Sequence, residues 1–82
     1  MRPGQLIEEA RRQIHELAGV EAEAVSGLAP DGDGGWIVTV EAVELARVPN
    51  TMDLMGTYEM TFSPEGELQG FRRLGRYQRA GP

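Results

Sequence analysis

Residues 36–62 read WIVTVEAVELARVPNTMDLMGTYEMTF, and the alternation within them decides the fold. The second half is regular: Met52, Leu54, Gly56, Tyr58, Met60 and Phe62 fall on one side of a strand with period two. The first half breaks step. Trp36, Val38 and Val40 are in phase, but Val43 and Leu45 are one residue out. A one-residue slip would turn half of these side chains towards water, so an extra residue at Glu41–Ala42, a β-bulge, is expected. The resulting hairpin pairs Trp36 with Phe62, Val38 with Met60, Val40 with Tyr58, Val43 with Gly56 and Leu45 with Leu54, and buries Trp36, Val40, Val43 and Leu45. The segment VPNT (48–51) joins its strands.

The flanking segments complete the chain of elements. Leu6, Ile7, Ala10, Ile14 and Leu17 recur at steps of three and four, the signature of an amphipathic helix. Pro3 suits its first turn and Gly19 its stop. Glu8 and Arg12 lie four apart on its solvent side. VEAEAVSGL (20–28) then alternates, with Val20, Ala22, Ala24 and Leu28 on one side. PDGDGG (30–35) and SPEG (63–66) are turn sequences, and Gly66 is placed to go left-handed.

In the last strand, pairing Phe62 with Glu67 brings Phe71 opposite Tyr58 and Tyr77 opposite Met52, both towards the core. Arg73 then lies opposite Gly56, and Arg72 and Arg76 point outwards with Asp53. Pairing Phe62 with Leu68 instead turns Phe71 outwards. The first register is preferred because it buries both aromatics.

The expected fold is α+β: one N-terminal helix packed on a four-stranded antiparallel meander of order 1-2-3-4. A single domain spans 1–82, with the helix at about 4–18 and strands at about 20–28, 35–47, 52–62 and 67–77. One sheet face lies under the helix. The other is wet, running from Glu21 and Glu23 at one edge to Arg72 and Arg76 at the other.

Composition narrows the function. No cysteine is present, which removes disulfides and thiolate metal sites. His15 is the single histidine, and no Ser-His-Asp set or transition-metal cluster can be assembled around it. DGDGG (31–35) lacks the later glutamate of a calcium loop and reads as a turn. Glu41 and Glu44 have the residue types of a catalytic carboxylate pair, but a solvated strand face is the preferred reading. No catalytic, cofactor or metal site is therefore expected. No apolar run is long enough to span a membrane, and the N-terminus lacks a signal-peptide stretch, so the expected location is the cytoplasm.

The charge is uneven. The net charge is −5, yet residues 69–82 carry four arginines and no acidic residue. On an edge strand such a strip can discourage aggregation, bind an acidic protein surface, or hold nucleic acid. The acidic remainder of the chain, with a pI near 4.7, argues against nucleic acid.

The spacing Glu41-x-x-Glu44-x-x-Arg47-x-Pro49, then Asp53, Tyr58-Glu59, Gly66-x-Leu68 and Arg73-x-x-Arg76-Tyr77-x-Arg79 resembles the gas vesicle protein GvpO family. The resemblance covers nearly the whole chain. It departs at Asn50, where the pattern has an acidic residue, and it matches the family's domain without a long charged N-terminal extension. The resemblance implies a non-enzymatic accessory role in making gas vesicles, the gas-filled protein shells that give bacteria and archaea buoyancy. Its partners would be other accessory or shell proteins, and it would be a cytoplasmic, vesicle-associated protein without a cofactor. The surface expected to meet a partner comprises Arg72, Arg73, Arg76, Tyr77 and Arg79, with Arg73 and Arg79 free even if Arg76 pairs with Asp53. The alternatives are a regulator touching nucleic acid through the same strip, and a small-ligand-binding domain.

Overall fold

A computed structural model describes residues 2–79, so Ala80–Pro82 at the end of the arginine-rich strip lie outside the described residues. The elements are α1 (Pro3–Ala18), β1 (Glu21–Pro30), β2 (Trp36–Leu45), a short 3₁₀ turn (Asn50–Met52), β3 (Leu54–Phe62) and β4 (Leu68–Gln78). The four strands form one antiparallel sheet in the order β1-β2-β3-β4, as the alternation predicts.

Local chemistry sets the element ends. Pro3 occupies the first turn of α1, where its missing N–H costs nothing. The Gln5 side chain accepts a hydrogen bond from the Arg2 N–H at 3.2 Å. Gly19 ends the helix in the left-handed region, φ 67°, and donates its N–H to the His15 carbonyl. Arg12 pairs with Glu9 and Glu16 rather than with Glu8. In the β1–β2 loop, Asp31 Oδ1 accepts the N–H groups of Asp33 and Gly35 at 2.7 and 3.0 Å, so this aspartate shapes the turn. Ser63 closes the β3–β4 turn by accepting from Glu67 N at 3.0 Å, and Gly66 adopts φ 87°.

The core lies between α1 and one face of the sheet. Leu6, Ala10 and Ile14 of the helix meet Val38, Val40 and Ala42 of β2 and Tyr58, Met60 and Phe62 of β3. Four of the pairs read from the sequence are present: Trp36–Phe62, Val38–Met60, Val40–Tyr58 and Leu45–Leu54.

The bulge lies elsewhere than at Glu41–Ala42. Ala42, not Val43, is opposite Gly56, and the extra residue is Glu44, between Val43 and Leu45. Ala42 is buried beneath the helix, while Val43 sits half-buried on the other face opposite Met55. Leu45 is exposed and Trp36 only half-buried. The phase break was real, but a small alanine fits where the helix comes close, and Val43 has Met55 to cover it on the far side. β1 carries two further irregularities, at Glu23 and Ser26: the first turns Ala24 to the outer side opposite Glu41, and the second returns Leu28 to the helix side opposite Val38, where it is still exposed.

β4 follows neither simple register. Phe62 pairs with Leu68, and regular continuation would send Phe71 outwards. Skipping Gln69 returns Phe71 to the helix side, opposite Met60, where it stacks on Tyr58 with ring centroids 5.4 Å apart. The same register sets Arg73 opposite Tyr58, and a second skip at Leu74 then places Arg76 opposite Gly56 and Tyr77 opposite Met55. Tyr77 therefore faces away from the helix, not into the core.

Candidate functional site

The two bulged strands β2 and β4 distribute the charged residues over both faces of the sheet. Arg73 and Arg76 stand on the helix side, being opposite Tyr58 and Gly56, whereas Arg72 and Tyr77 stand on the outer side opposite Glu59 and Met55. The expected strip is thus divided by the sheet plane. Each of its members meets an acidic side chain of the same chain.

On the helix side the partner is Glu44. Its side chain is only 8% exposed. The bulge turns it over Gly56, where a Cβ would collide with its carboxylate and come within 2.9 Å of the Tyr58 ring. The absent side chain at Gly56 is what gives Glu44 room. Glu44 accepts a short hydrogen bond from the Tyr58 hydroxyl. Arg76 Nε lies 2.6 Å from Glu44 Oε1, and Arg73 Nη1 lies 3.4 Å from both oxygens. Burial pushes the Glu44 carboxyl up, but the Tyr58 hydroxyl and the two guanidiniums together outweigh it and hold it below the ordinary carboxylate value. Burial, with the hydrogen bond to Glu44, raises the Tyr58 phenol.

On the outer side the partner is Glu41. Its carboxylate accepts from Ser26 Oγ and Thr57 Oγ1 at 2.6 Å and from the Tyr77 hydroxyl at 2.9 Å. Burial again pushes the carboxyl up, and the three hydroxyls prevail and lower it. Burial and the bond to Glu41 raise Tyr77. Glu41 and Glu44 therefore lie on opposite faces, each enclosed by its own set of donors. They are neither a carboxylate pair nor a solvated strand face. Arg72 Nε meets Glu59 at 3.2 Å on the same outer side.

The third cluster ties the sheet's ends together. Asp53 Oδ1 accepts the Arg47 N–H at 2.7 Å, and Asp53 Oδ2 meets Arg79 Nη2 at 2.9 Å. The Arg47 amide first, then the Arg79 guanidinium, hold the Asp53 carboxyl below its ordinary value. Arg79 Nη2 also reaches Glu23 Oε2 on β1 at 2.6 Å, and Arg79 Nε donates to the Asn50 carbonyl at 3.2 Å. The Arg79 guanidinium lowers the Glu23 carboxyl, and the two carboxylates raise Arg79. Arg79 is therefore not free, and Arg76 pairs with Glu44 rather than Asp53. The outer face does not run from negative to positive either, because Glu23 at one edge and Arg79 beyond the other are in contact.

The sequence does not single out Ser26 and Thr57, and it places Glu23 at an edge of the outer face without its partner Arg79. Glu23 and Ser26 are the residues at which β1 breaks register, a signal visible only once its partner strand is placed. Among the described residues no group of three His, Cys, Asp or Glu side chains gathers as metal ligands, and no helix is long and apolar enough to cross a membrane. Two concavities lie on the solvent side of α1 and at its seam with β1, both lined by Arg11 and His15.

Fold and network define a small helix-backed meander whose motif residues bind one another: Glu41 with Tyr77, Glu44 with Tyr58, Arg73 and Arg76, and Asp53 with Arg47 and Arg79. The chain belongs to the gas vesicle synthesis protein GvpO family, whose model matches residues 1–81. The family is not a known family of enzymes. Among similar proteins, gas vesicle protein O of Streptomyces sp. (strain CB03234) is 47% identical over 77 residues, covering 94% of this chain and 59% of that protein. Gas vesicle protein O of Haloferax mediterranei is 37% identical over 70 residues, covering 85% of this chain and 50% of its own length. Gas vesicle protein O1 of Halobacterium salinarum is 43% identical over 51 residues, 62% of this chain and 43% of that protein. The chain thus spans about half the length of the curated relatives it matches. No solved structure matches it.

Proposed function

We propose that this chain is a non-enzymatic accessory protein that assists gas vesicle assembly by binding other gas vesicle proteins, accessory or shell, without a cofactor. It acts in the cytoplasm and in association with the vesicle. The observation that carries the reading is the family match over residues 1–81. The geometry is compatible with it, since the hydroxyls and guanidiniums around Glu41, Glu44 and Asp53 are taken up in bonds to those carboxylates. The proposed contact surface is the strip Arg72, Arg73, Arg76, Tyr77 and Arg79. Its members contribute differently: Arg79, Arg72 and Tyr77 hold internal partners on the outer side, and Arg73 and Arg76, both well exposed, share the Glu44 carboxylate on the helix side.

The regulator reading draws less support. Glu59, Glu44, Asp53 and Glu23 together match the four arginines in charge, which leaves a weak field for a polyanion. Removing the chain from cells that make gas vesicles tests the proposal. Vesicle number should fall and be restored by resupplying it, including as His15→Gln. Normal vesicles without the chain would contradict the role. Loss of vesicles with a normally folded His15→Gln would reopen catalysis.

A further inference from the structure

The strip's charges do not cancel evenly along β4. Arg72 has Glu59 to itself, and Arg79 lies between two carboxylates. Arg73 and Arg76 share the single carboxylate of Glu44. Around Glu44 guanidiniums outnumber carboxylates two to one. Arg76 holds the close contact, and Arg73 is left at 3.4 Å with its side chain 45% exposed.

This excess charge stands beside apolar surface. Phe71, on the same side of β4, is 38% exposed although its ring stacks on the buried Tyr58. Helix α1 covers β2 and β3 and leaves this strip of β4 open.

The free edge of β4 is a poor template for an added strand. Its skips at Gln69 and Leu74 interrupt the regular row of backbone donors and acceptors, and bulges of this kind protect sheet edges. A partner must therefore meet the side chains of the face rather than extend the sheet. A helix does so, with one stripe of side chains. Carboxylates three or four residues apart lie on one such stripe and can face Arg73 and Arg76 together, with an apolar neighbour on Phe71.

We propose that an acidic amphipathic helix of a partner protein docks beside α1 on the helix-side strip of β4, with its carboxylates on Arg73 and Arg76 and its apolar side on Phe71. This rests on the protein-binding role above and names the chemistry of the partner.

The test is photo-crosslinking in cells that make gas vesicles, with p-benzoylphenylalanine in place of Phe71 in the full chain and the captured segment read by mass spectrometry. The segment should carry acidic residues at helical spacing. Two charge variants in the same background separate contact from scaffold. Glu44→Gln alone frees both guanidiniums and should raise the crosslink yield several-fold. Arg73→Gln with Arg76→Gln and Glu44→Gln removes the excess charge without stranding a buried carboxylate, and should lower the yield several-fold at unchanged circular dichroism. If arginines and glutamate are only a structural network, Glu44→Gln gives no gain, and that result overturns the proposal. So does capture of a second copy of this chain, of nucleic acid, or of a segment without acidic residues. An acidic helix from a protein unconnected with gas vesicles would uphold the docking mode and refute the assembly role. A gas vesicle protein captured through a non-acidic segment would do the reverse.

Discussion

Arg79 and Glu23 meet across the outer face of the sheet, with Nη2 2.6 Å from Oε2, although they are 56 residues apart and belong to opposite edges. The same guanidinium holds Asp53, which in turn fixes the Arg47 amide. One side chain thus ties the β2–β3 connection, β1 and the end of β4. Arg79→Gln should lower the Tm clearly, because Asp53 is buried and would lose its charged partner. Arg72→Gln, which breaks an exposed pair, should leave the Tm within error of wild type. Thermal unfolding followed by circular dichroism makes the comparison. Equal behaviour of the two variants would deny Arg79 its tying role.

A crowded glycine and an open one should respond unequally. At Gly35 a Cβ would strike the Phe62 carbonyl oxygen and lie 2.7 Å from Asp31 Oδ2, and backbone cannot swing aside. Gly35→Ala should cost about 1–3 kcal/mol. Gly75→Ala has no atom within 4 Å of its Cβ and should be neutral within about 0.5 kcal/mol. Urea unfolding of both variants decides this.

The core ranks its aromatics. Phe62 is fully buried and Phe62→Ala should cost about 3–5 kcal/mol, enough to unfold a domain of this size. Trp36 is half-buried, and Trp36→Ala should cost less, about 1–3 kcal/mol. The reverse order would mean that Trp36 is the centre of the core.

Acid should destabilise the fold through four carboxylates. Glu23, Glu41, Glu44 and Asp53 are all lowered in the folded chain. The unfolded state then binds more protons as pH falls past the ordinary range near 4, so their stabilisation is present above that range and lost below it. Glu44→Gln should flatten the fall in Tm between about pH 5 and 3. At the alkaline end the signs reverse. Tyr58 and Tyr77 are raised, so their contribution is present below about pH 10 and disappears as pH climbs through their folded values. Absorbance titration should place both midpoints above that of the urea-unfolded chain, and coincident curves would contradict the hydroxyl–carboxylate bonds.

How far the sequence discloses this depends on what a residue needs as a partner. The helix and the order of strands follow from periodicity, because Leu6, Ala10 and Ile14 and the pairs from Trp36–Phe62 to Val40–Tyr58 each need only the core. The bulge is legible as a phase break but not in its position, since Ala42 and Val43 are both apolar and both faces offer cover. β4 is least legible. Its two skips restore Phe71 to the helix side while turning Tyr77 away, and no local pattern marks Gln69 or Leu74 as the extra residues. The arginines look free in the sequence because their carboxylates lie far away in the chain, as Glu44 does from Arg76. Most charged and tyrosine positions of the spacing that resembles the family, Glu41, Glu44, Asp53, Tyr58, Arg73, Arg76, Tyr77 and Arg79, belong to this network.

The central claim is that the chain binds another gas vesicle protein, and that Arg73 and Arg76 carry the contact. The most direct measurement is affinity purification of the tagged chain from cells making gas vesicles, with quantitative mass spectrometry, beside the neutralised Arg73→Gln, Arg76→Gln, Glu44→Gln variant of matched Tm. At least one gas vesicle protein should be enriched with the wild-type chain, fall several-fold with the variant, and weaken as salt is raised through the range where the screening length drops below about 8 Å. Recovery of the same partners in the same amounts from both chains, at every salt concentration, would contradict the account.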